Sequence, residues 1–246
     1  MKLKDIINEW SQTPKSVIEY LQNKGYKLLG KGVDQSAFEE PKTGKVLKIF
    51  GAKKAKSSKA NPGHIMFEVW HEYCEKNKYN PFLPKFSGWT YFDFQDQTFM
   101  QIRMERLIPI DSGVSNALEF LSDSFYNYPI DKFDDVKDHI LSQIGKEHFT
   151  SHKYFSADDL DMPSFFGIPS HDLDELNQLM ILLGKKKFLL LLDTLKEVGE
   201  ISKKKGYHFD LHEGNFMHRH DGVPVIVDPW VVDSYRSVGK MSRGLK

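Results

Sequence analysis

The chain has 246 residues, and its 34 basic and 34 acidic side chains give a formal net charge of zero at neutral pH. A balanced charge creates no global field that would favour nucleic acid or an anionic membrane as a partner. The single cysteine, Cys74, excludes an intramolecular disulfide. The first residues lack the continuous apolar core of a signal peptide, and no apolar run approaches the about 20 residues of a membrane-spanning helix. We therefore expect a cytoplasmic protein.

Apolar residues at helical spacing predict two short helices near the N-terminus, over residues 3–10 and 14–24. The second is predicted to begin at Thr13, a capping residue that precedes a proline, and to end at Gly25. We expect residues 1–25 to form a helical extension that supports the sheet after it.

The pattern then changes to that of strands, over residues 26–29, 35–39 and 46–50. Gly30 and Gly32 lie between the first two strands. A glycine-rich turn lets backbone N–H groups approach phosphate oxygens, because no β-carbon blocks them. The pattern lacks a third glycine, so an ordinary turn is an equal alternative.

Lys48 lies inside the third, otherwise apolar strand. A buried lysine is unfavourable unless an anion meets it, so phosphate binding is one interpretation. The other is a lysine at the sheet edge that extends its ammonium group to solvent. The next predicted helix, residues 63–76, carries Glu68, which is flanked by apolar residues and expected to face inward. Glu72, one turn further on, is the alternative.

Two more strands are predicted over residues 86–94 and 98–107, and the second ends near Glu105 and Leu107. Residues 111–170 are the least informative part of the chain, and within them residues 149–170 lack a clear period and predict an irregular insertion. Further helices are predicted over residues 115–124, 134–144, 173–183 and 185–204.

The most distinctive stretch is residues 208–215, HFDLHEGN, which is followed after an Asp-Gly turn by IVDPW. Its polar trio, Asp210, Asn215 and Asp228, is expected at the open end of a small hairpin. Phosphoryl transfer needs such a trio. One carboxylate receives or orients the proton of the nucleophile, and a second carboxylate with an amide oxygen holds magnesium.

Three other interpretations of this stretch stand beside phosphoryl transfer. The HxD pattern begins the iron-binding triad of some oxygenases, which need a distant third histidine. A polar loop between a helix and a hairpin would also produce such a sequence. A zinc cluster would leave Asn215 and Asp228 without a task. Its ligands would come from His208, His212, His218 and His220.

These residues resemble the protein-kinase-like superfamily. Residues 208–215 fit the catalytic-loop pattern HxDxxxxN, and IVDPW stands where those enzymes carry the metal-binding DFG. The separation of Asp210 and Asp228, 228 minus 210 or 18 residues, is also that of the family. The DLHEGN form and the short segment after Asp228 are similar to phage-encoded early serine/threonine kinases. The catalytic loop also resembles that of aminoglycoside and choline phosphotransferases.

The resemblance implies an α+β, two-lobed, protein-kinase-like fold. Residues 26–107 would form an N-lobe with an antiparallel sheet and one helix, and residues 108–246 a mainly helical C-lobe that is truncated after the metal-binding Asp228. Asp210 would be the catalytic residue, Asn215 and Asp228 the magnesium ligands. The nucleotide-binding groups would be Gly30, Gly32, Lys48 with Glu68 or Glu72 as its partner, and the backbone of Glu105 and Leu107 at adenine.

The implied activity is that of an ATP-dependent kinase with ATP and Mg²⁺ as cofactors. We expect a serine/threonine kinase that transfers the γ-phosphoryl group to a protein hydroxyl in the cytoplasm, that of the host if the chain is phage-encoded. Neither nucleic acid nor a membrane is an expected partner. Two alternatives remain: a small-molecule phosphotransferase with an acidic acceptor pocket within residues 111–170, and a nucleotide-binding interaction module without catalysis.

Overall fold

The computed structural model describes residues 16–31, 35–54, 62–95, 97–110, 112–144 and 170–231. The chain divides into two compact units, Met1–Leu107 and Ile108–Lys246. Within the described ranges there are six α-helices and ten strands. The first unit contains an antiparallel sheet and the second is mainly helical, so the predicted α+β class is confirmed.

Unit 1 is built around one antiparallel sheet of five strands, in the spatial order β1-β2-β3-β5-β4. The long connection between β3 and β4 contains a helix, as the kinase resemblance implies. Strand β3 is the central strand of the sheet, and β4 is one of its two edge strands. The elements are α1 (Val17–Asn23), β1 (Lys27–Lys31), β2 (Gln35–Glu39), β3 (Val46–Lys54), α2 (Pro62–Lys76), β4 (Phe86–Phe94) and β5 (Gln97–Met104).

Helix α1 begins later than its sequence predicts. Its cap is Ser16, whose hydroxyl accepts a hydrogen bond from the Glu19 backbone N–H at 3.2 Å. A start at Thr13 is therefore wrong, because Ser16 supplies the acceptor that the first helical turn needs. Leu21 of this helix packs against the sheet, so α1 shares the core of unit 1. The other predicted N-terminal helix, residues 3–10, lies outside the described residues.

The two faces of the sheet have different neighbours, which β3 shows most clearly. Leu47 and Ile49 are buried in the cluster that includes α1. Phe50 points to the opposite face, where its ring lies 5.4 Å from that of Phe67 in α2. Side chains alternate along a strand, so Lys48 lies on the same face as Phe50.

Two strands of unit 1 are longer than their sequence patterns. Strand β1 continues to Lys31, so Gly30 is a strand residue paired with Ala37 and does not begin a turn. Strand β3 continues to Lys54, which pairs with Gln97 at the start of β5. Local composition underestimates both strands because a neighbouring strand supplies the backbone hydrogen bonds. Strand β5 itself ends at Met104 and not near Leu107.

Unit 2 is organised around its longest helix, which lies against two others. Every helix predicted in this unit from periodicity is present, with small shifts of the ends. The expected irregular segment before residue 170 lies largely outside the described residues. The elements are β6 (Ile108–Pro109), α3 (Ser112–Tyr126), α4 (Phe133–Gln143), α5 (Ser170–Leu183), α6 (Lys185–Lys205), β7 (His208–Phe209), β8 (Phe216–His218), β9 (Pro224–Ile226) and β10 (Trp230–Val231), with 3-10 turns at Ile130–Lys132 and Glu213–Asn215.

Helix α6 ends where the sequence predicts, and β7 then leads the chain into the polar loop that contains Asp210. Gly206 adopts the left-handed conformation, with φ of 69°, directly after three lysines of the last turn. Cations at this end of a helix interact favourably with the helix dipole. None of the helices in the described ranges is both long and apolar enough to cross a membrane.

Gly199 lets α6 approach its neighbours closely. A β-carbon at this position would lie 3.1 Å from a ring atom of Phe209 and 3.2 Å from one of Phe133. Gly199→Ala gains roughly 1 kcal/mol in helix propensity. Overpacking costs about 1–3 kcal/mol, and Phe133 is fully buried and cannot move easily. We expect a net loss of about 1 kcal/mol in the free energy of unfolding, measured by urea denaturation.

Gly30→Ala is the matched control, since a β-carbon there meets nothing within 4 Å and the residue is not in the left-handed region. It should leave stability unchanged or raise it slightly. A Gly199→Ala variant as stable as the wild type would show that the two rings can adjust.

Candidate functional site

Two small strand pairs in unit 2 bring the polar trio together. Strand β7 pairs with β10, and β8 pairs with β9. As a result Asp210 directly follows β7, Asn215 directly precedes β8, and Asp228 lies between β9 and β10. The Asp-Gly turn between β8 and β9 is present as predicted, with Gly222 at φ of 80°. Asp210 and Asp228 are 18 positions apart in the sequence (228 minus 210), and the paired strands bring them to the same part of unit 2.

Two backbone hydrogen bonds fix the position of Asp228 relative to the other two residues. The N–H of Asp210 donates to the carbonyl of Pro229 at 2.9 Å, and the N–H of Val227 donates to the carbonyl of Asn215 at 2.9 Å. The two bonds therefore hold the residues immediately before and after Asp228. Backbone bonds of this kind place a side chain without using its own polar atoms.

The Asn215 side chain is oriented by Asp210. Its Nδ2 donates to the backbone carbonyl of Asp210 and lies 3.3 Å from Oδ2 of the same residue. The amide nitrogen is thereby used within the loop, and Oδ1 is the Asn215 atom that can bind a cation. Together with the Asp228 carboxylate it makes an all-oxygen donor set. This donor set fits magnesium, which prefers carboxylate and amide oxygens.

His212 shapes the turn between Asp210 and Asn215, a role that motif spacing did not predict. Its Nδ1 accepts a hydrogen bond from the N–H of Gly214 at 3.0 Å, and it caps the short turn. A β-carbon at Gly214 would lie only 2.9 Å from Cε1 of the imidazole. The pairing of a histidine with a glycine two positions later is the signal in the sequence that could have indicated this packing.

Helix α3 supports the loop from behind, a contact partner that the sequence did not identify. The hydroxyl of Tyr126 lies 3.0 Å from Nδ1 of His208, and the Tyr126 ring meets Phe209 edge-on. His208 is therefore tied to the helix. No sequence rule joins two residues 82 positions apart.

The metal-cluster alternatives gain no support from unit 2. Across the part of the chain that the structure describes, no group of three or more histidine, cysteine, aspartate or glutamate side chains could hold a metal ion. A zinc site or an oxygenase triad needs such a group. A magnesium site formed by one aspartate and one asparagine does not.

In unit 1, Lys48 does not lie at the sheet edge. It belongs to β3, with Ala37 of β2 on one side and Ile102 of β5 on the other. The lysine is half-buried on the sheet face that α2 covers. The edge interpretation is therefore wrong, because both neighbouring positions are occupied by strands. Its predicted contact with phosphate remains a prediction.

The two candidate glutamates of α2 point in different directions. Glu68 faces the sheet, where its Oε1 accepts a hydrogen bond from the Tyr91 hydroxyl at 3.1 Å. Glu72 is exposed and forms an ion pair with Lys76 at 2.8 Å. This geometry favours Glu68 as the predicted partner of Lys48, although that contact itself remains a prediction.

The remaining nucleotide-binding candidates lie near the beginning and at the end of the sequence of unit 1. Gly32 is outside the described residues, and Gly30 is a strand residue with open space beside it. Glu105 bonds twice to Lys85: its N–H donates to the Lys85 carbonyl at 2.9 Å, and its Oε1 accepts from the Lys85 N–H at 2.8 Å. Any adenine contact at Glu105 is thus confined to its carbonyl. Leu107 is buried, and its predicted role is untested.

The chain resembles known proteins only at the level of solved structures. No protein-family model matches the chain, and no curated protein matches it. Among the solved structures that match is the streptomycin-ATP-APH(2″)-IIa ternary complex, at 15% sequence identity and a TM-score of 0.29. The match covers 87% of this chain and 70% of the other. A likeness at this TM-score assigns neither fold nor activity to the chain.

The orientation of Asn215 leads to a pH-dependent prediction. Asn215→Asp keeps the shape but removes the amide donor and sets a carboxylate beside that of Asp210. Two neighbouring carboxylates raise the pKa of one of them, so the repulsion is full at pH 8 and is relieved by protonation in acid. We expect a loss of about 1–3 kcal/mol in unfolding free energy at pH 8 and a smaller loss at pH 4.5.

Urea denaturation in EDTA at both pH values measures this difference. Asn127→Asp, the same change at an exposed position, is the control and should alter stability by less than about 0.5 kcal/mol at either pH. Equal losses for the two variants would contradict the assigned orientation of the Asn215 amide.

Proposed function

We propose that this protein is an ATP-dependent phosphotransferase with a protein-kinase-like site. One observation carries the proposal: the two backbone hydrogen bonds that hold Asp210, Asn215 and Asp228 together. Phosphoryl transfer relies mainly on positioning and charge neutralisation, so a rigidly held set of two carboxylates and one amide suits it.

Asp210 is the proposed catalytic residue. The oxygen of an acceptor hydroxyl forms a bond to the γ-phosphorus of ATP, the bond from this phosphorus to the β–γ bridging oxygen breaks, and ADP leaves. The proton of the hydroxyl passes to the Asp210 carboxylate, which also orients the hydroxyl before transfer. The hydrogen bonds from Asp210 N–H and to its carbonyl fix this carboxylate at the start of the loop.

Magnesium is the proposed metal, and Oδ1 of Asn215 and the carboxylate of Asp228 would hold it. When bound, the ion neutralises negative charge on the phosphate oxygens. Because Nδ2 of Asn215 donates to the Asp210 carbonyl, Oδ1 is the Asn215 atom that would bind the metal.

Unit 1 supplies the proposed nucleotide-binding groups. Lys48 would bind the α and β phosphates, and Glu68 would keep the lysine extended. A half-buried lysine in a central strand supports this role, since an anionic ligand offsets the desolvation of its ammonium group. The further proposed groups are backbone atoms of Gly30 and Gly32 at phosphate, and of Glu105 and Leu107 at adenine.

A protein hydroxyl is the proposed acceptor, as in the short phage-encoded serine/threonine kinases that the catalytic loop resembles, with the reaction in the cytoplasm. One observation favours the small-molecule alternative. Helix α3 lies against the turn Glu213–Asn215 and carries two exposed acids one turn apart, Glu119 and Asp123, which would suit an acceptor bearing amino groups. Incubation with labelled ATP, magnesium and a cell lysate distinguishes the two, because label enters either protein or small molecules.

Asp210→Asn separates chemistry from binding. The substitution nearly preserves size but removes the basicity, so the variant should keep its affinity for magnesium-ATP and lose most phosphate transfer, roughly 100-fold or more. Transfer rate and ATP dissociation constant are measured on one preparation. Loss of binding together with activity would make Asp210 a structural residue or a metal ligand. Full activity would exclude a kinase of this design.

Asp228→Asn tests the metal site. An amide coordinates magnesium more weakly than a carboxylate does and cannot neutralise it, so the thermal stabilisation by ATP should lose its dependence on magnesium. Melting temperatures with ATP, with and without magnesium, provide the measurement, and Asp221→Asn in the exposed hairpin turn is the control. A variant that retains the full magnesium-dependent shift would place the metal elsewhere.

A further inference from the structure

Tyr91 on β4 reaches the same sheet face as Lys48. Tyr91 pairs across to Met100 of β5, which pairs in turn with Phe50 of β3. Paired residues share a face, and Lys48 is two positions before Phe50. The Tyr91 hydroxyl, Glu68 on the covering helix and Lys48 therefore all lie on one side of the sheet, within unit 1.

The aromatic ring of Tyr91 is held by packing that does not involve its hydroxyl. The ring lies 5.7 Å from that of His64 in α2 and meets Trp89 edge-on at 5.6 Å. Phenylalanine would keep both contacts. The hydroxyl is therefore not needed to place the ring. It contacts the carboxylate of Glu68.

The hydroxyl donates to one oxygen of Glu68 at 3.1 Å. A carboxylate accepts through both oxygens, so this bond uses Oε1 and keeps Oε2 available for an ammonium group. Partial burial raises the pKa of Tyr91, and the hydrogen bond and charge of Glu68 raise it further. The hydroxyl consequently remains protonated, and so remains a donor, at neutral pH.

From this geometry we infer that Tyr91 is a positioning residue of the nucleotide site, which holds the Glu68 carboxylate in place for Lys48. The inference rests on the proposed function, in which Glu68 keeps Lys48 directed at phosphate. A glutamate side chain has three rotatable bonds, and ordering it opposes the ion pair with Lys48. A hydrogen bond that orders it before ATP binds removes part of this opposition.

Tyr91→Phe is the direct test because it deletes one oxygen and keeps the ring. We expect the dissociation constant and the KM for magnesium-ATP to rise about three- to tenfold, the range that corresponds to the cost of ordering one side chain. The kcat at saturating ATP should stay near that of the wild type, since the lost interaction serves binding. Tyr79→Phe removes the hydroxyl of a tyrosine that is 90% exposed and should change neither constant.

A double-mutant cycle with Glu68→Gln shows whether Tyr91 acts through Glu68. If it does, Glu68→Gln weakens ATP binding, and adding Tyr91→Phe to it causes no further loss. The melting temperature of Tyr91→Phe should stay within a few degrees of the wild type, because the ring contacts remain. Independent, additive losses would overturn the inference, as would tighter ATP binding by Tyr91→Phe, which would mean that Tyr91 draws Glu68 away from Lys48.

The same set of variants distinguishes failure of the inference from failure of the proposed function. If Glu68→Gln and Lys48→Met weaken ATP binding while Tyr91→Phe does not, the positioning role is wrong and the kinase site stands. If neither Lys48→Met nor Glu68→Gln alters ATP binding, the assignment of the nucleotide site to unit 1 fails, and the role of Tyr91 fails with it.

Discussion

The candidate site depends on one constraint: the segment around Asp228 is bound through its backbone to the loop that contains Asp210 and Asn215. The two hydrogen bonds, from Asp210 N–H to the Pro229 carbonyl and from Val227 N–H to the Asn215 carbonyl, satisfy groups that the short strands leave unpaired. These two bonds use no side-chain atom of Asp210, Asn215 or Asp228, and the Asn215 side chain adds a further bond from its Nδ2 to the Asp210 carbonyl.

Helix α6 anchors both partners of this arrangement. On β10, Nε1 of Trp230 donates to the carbonyl of Val198, and on β7 the Phe209 ring fits against Gly199 of the next position. The same helix turn thus contacts the strand before Asp210 and the strand after Asp228. The geometry of the polar trio therefore depends on the close packing of α6, because a shift of this helix would move both strands.

Unit 1 shows a charged group in an otherwise apolar stretch of a central strand, residues 46–50. Lys48 lies between two strands and beneath α2, where its ammonium group is partly removed from water. Glu68 on that helix faces the sheet, and the Tyr91 hydroxyl meets its carboxylate. Lys48, Glu68 and Tyr91 therefore lie on one side of the sheet, while Leu47 and Ile49 on the other face join an apolar core with α1. Strand β3 can therefore contribute Lys48 to a binding site and Leu47 and Ile49 to the core.

The sequence by itself determined the element types and the polar trio, because periodicity, turn residues and motif spacing are local properties. Strands β2 and β4 occupy the predicted residues 35–39 and 86–94. Only tertiary structure decided that Ser16 caps α1, that β3 continues to Lys54 and that Glu68 meets Tyr91. Competing caps, neighbouring strands and contacts between distant residues decided these points, since the chain must satisfy its polar groups wherever folding brings a partner.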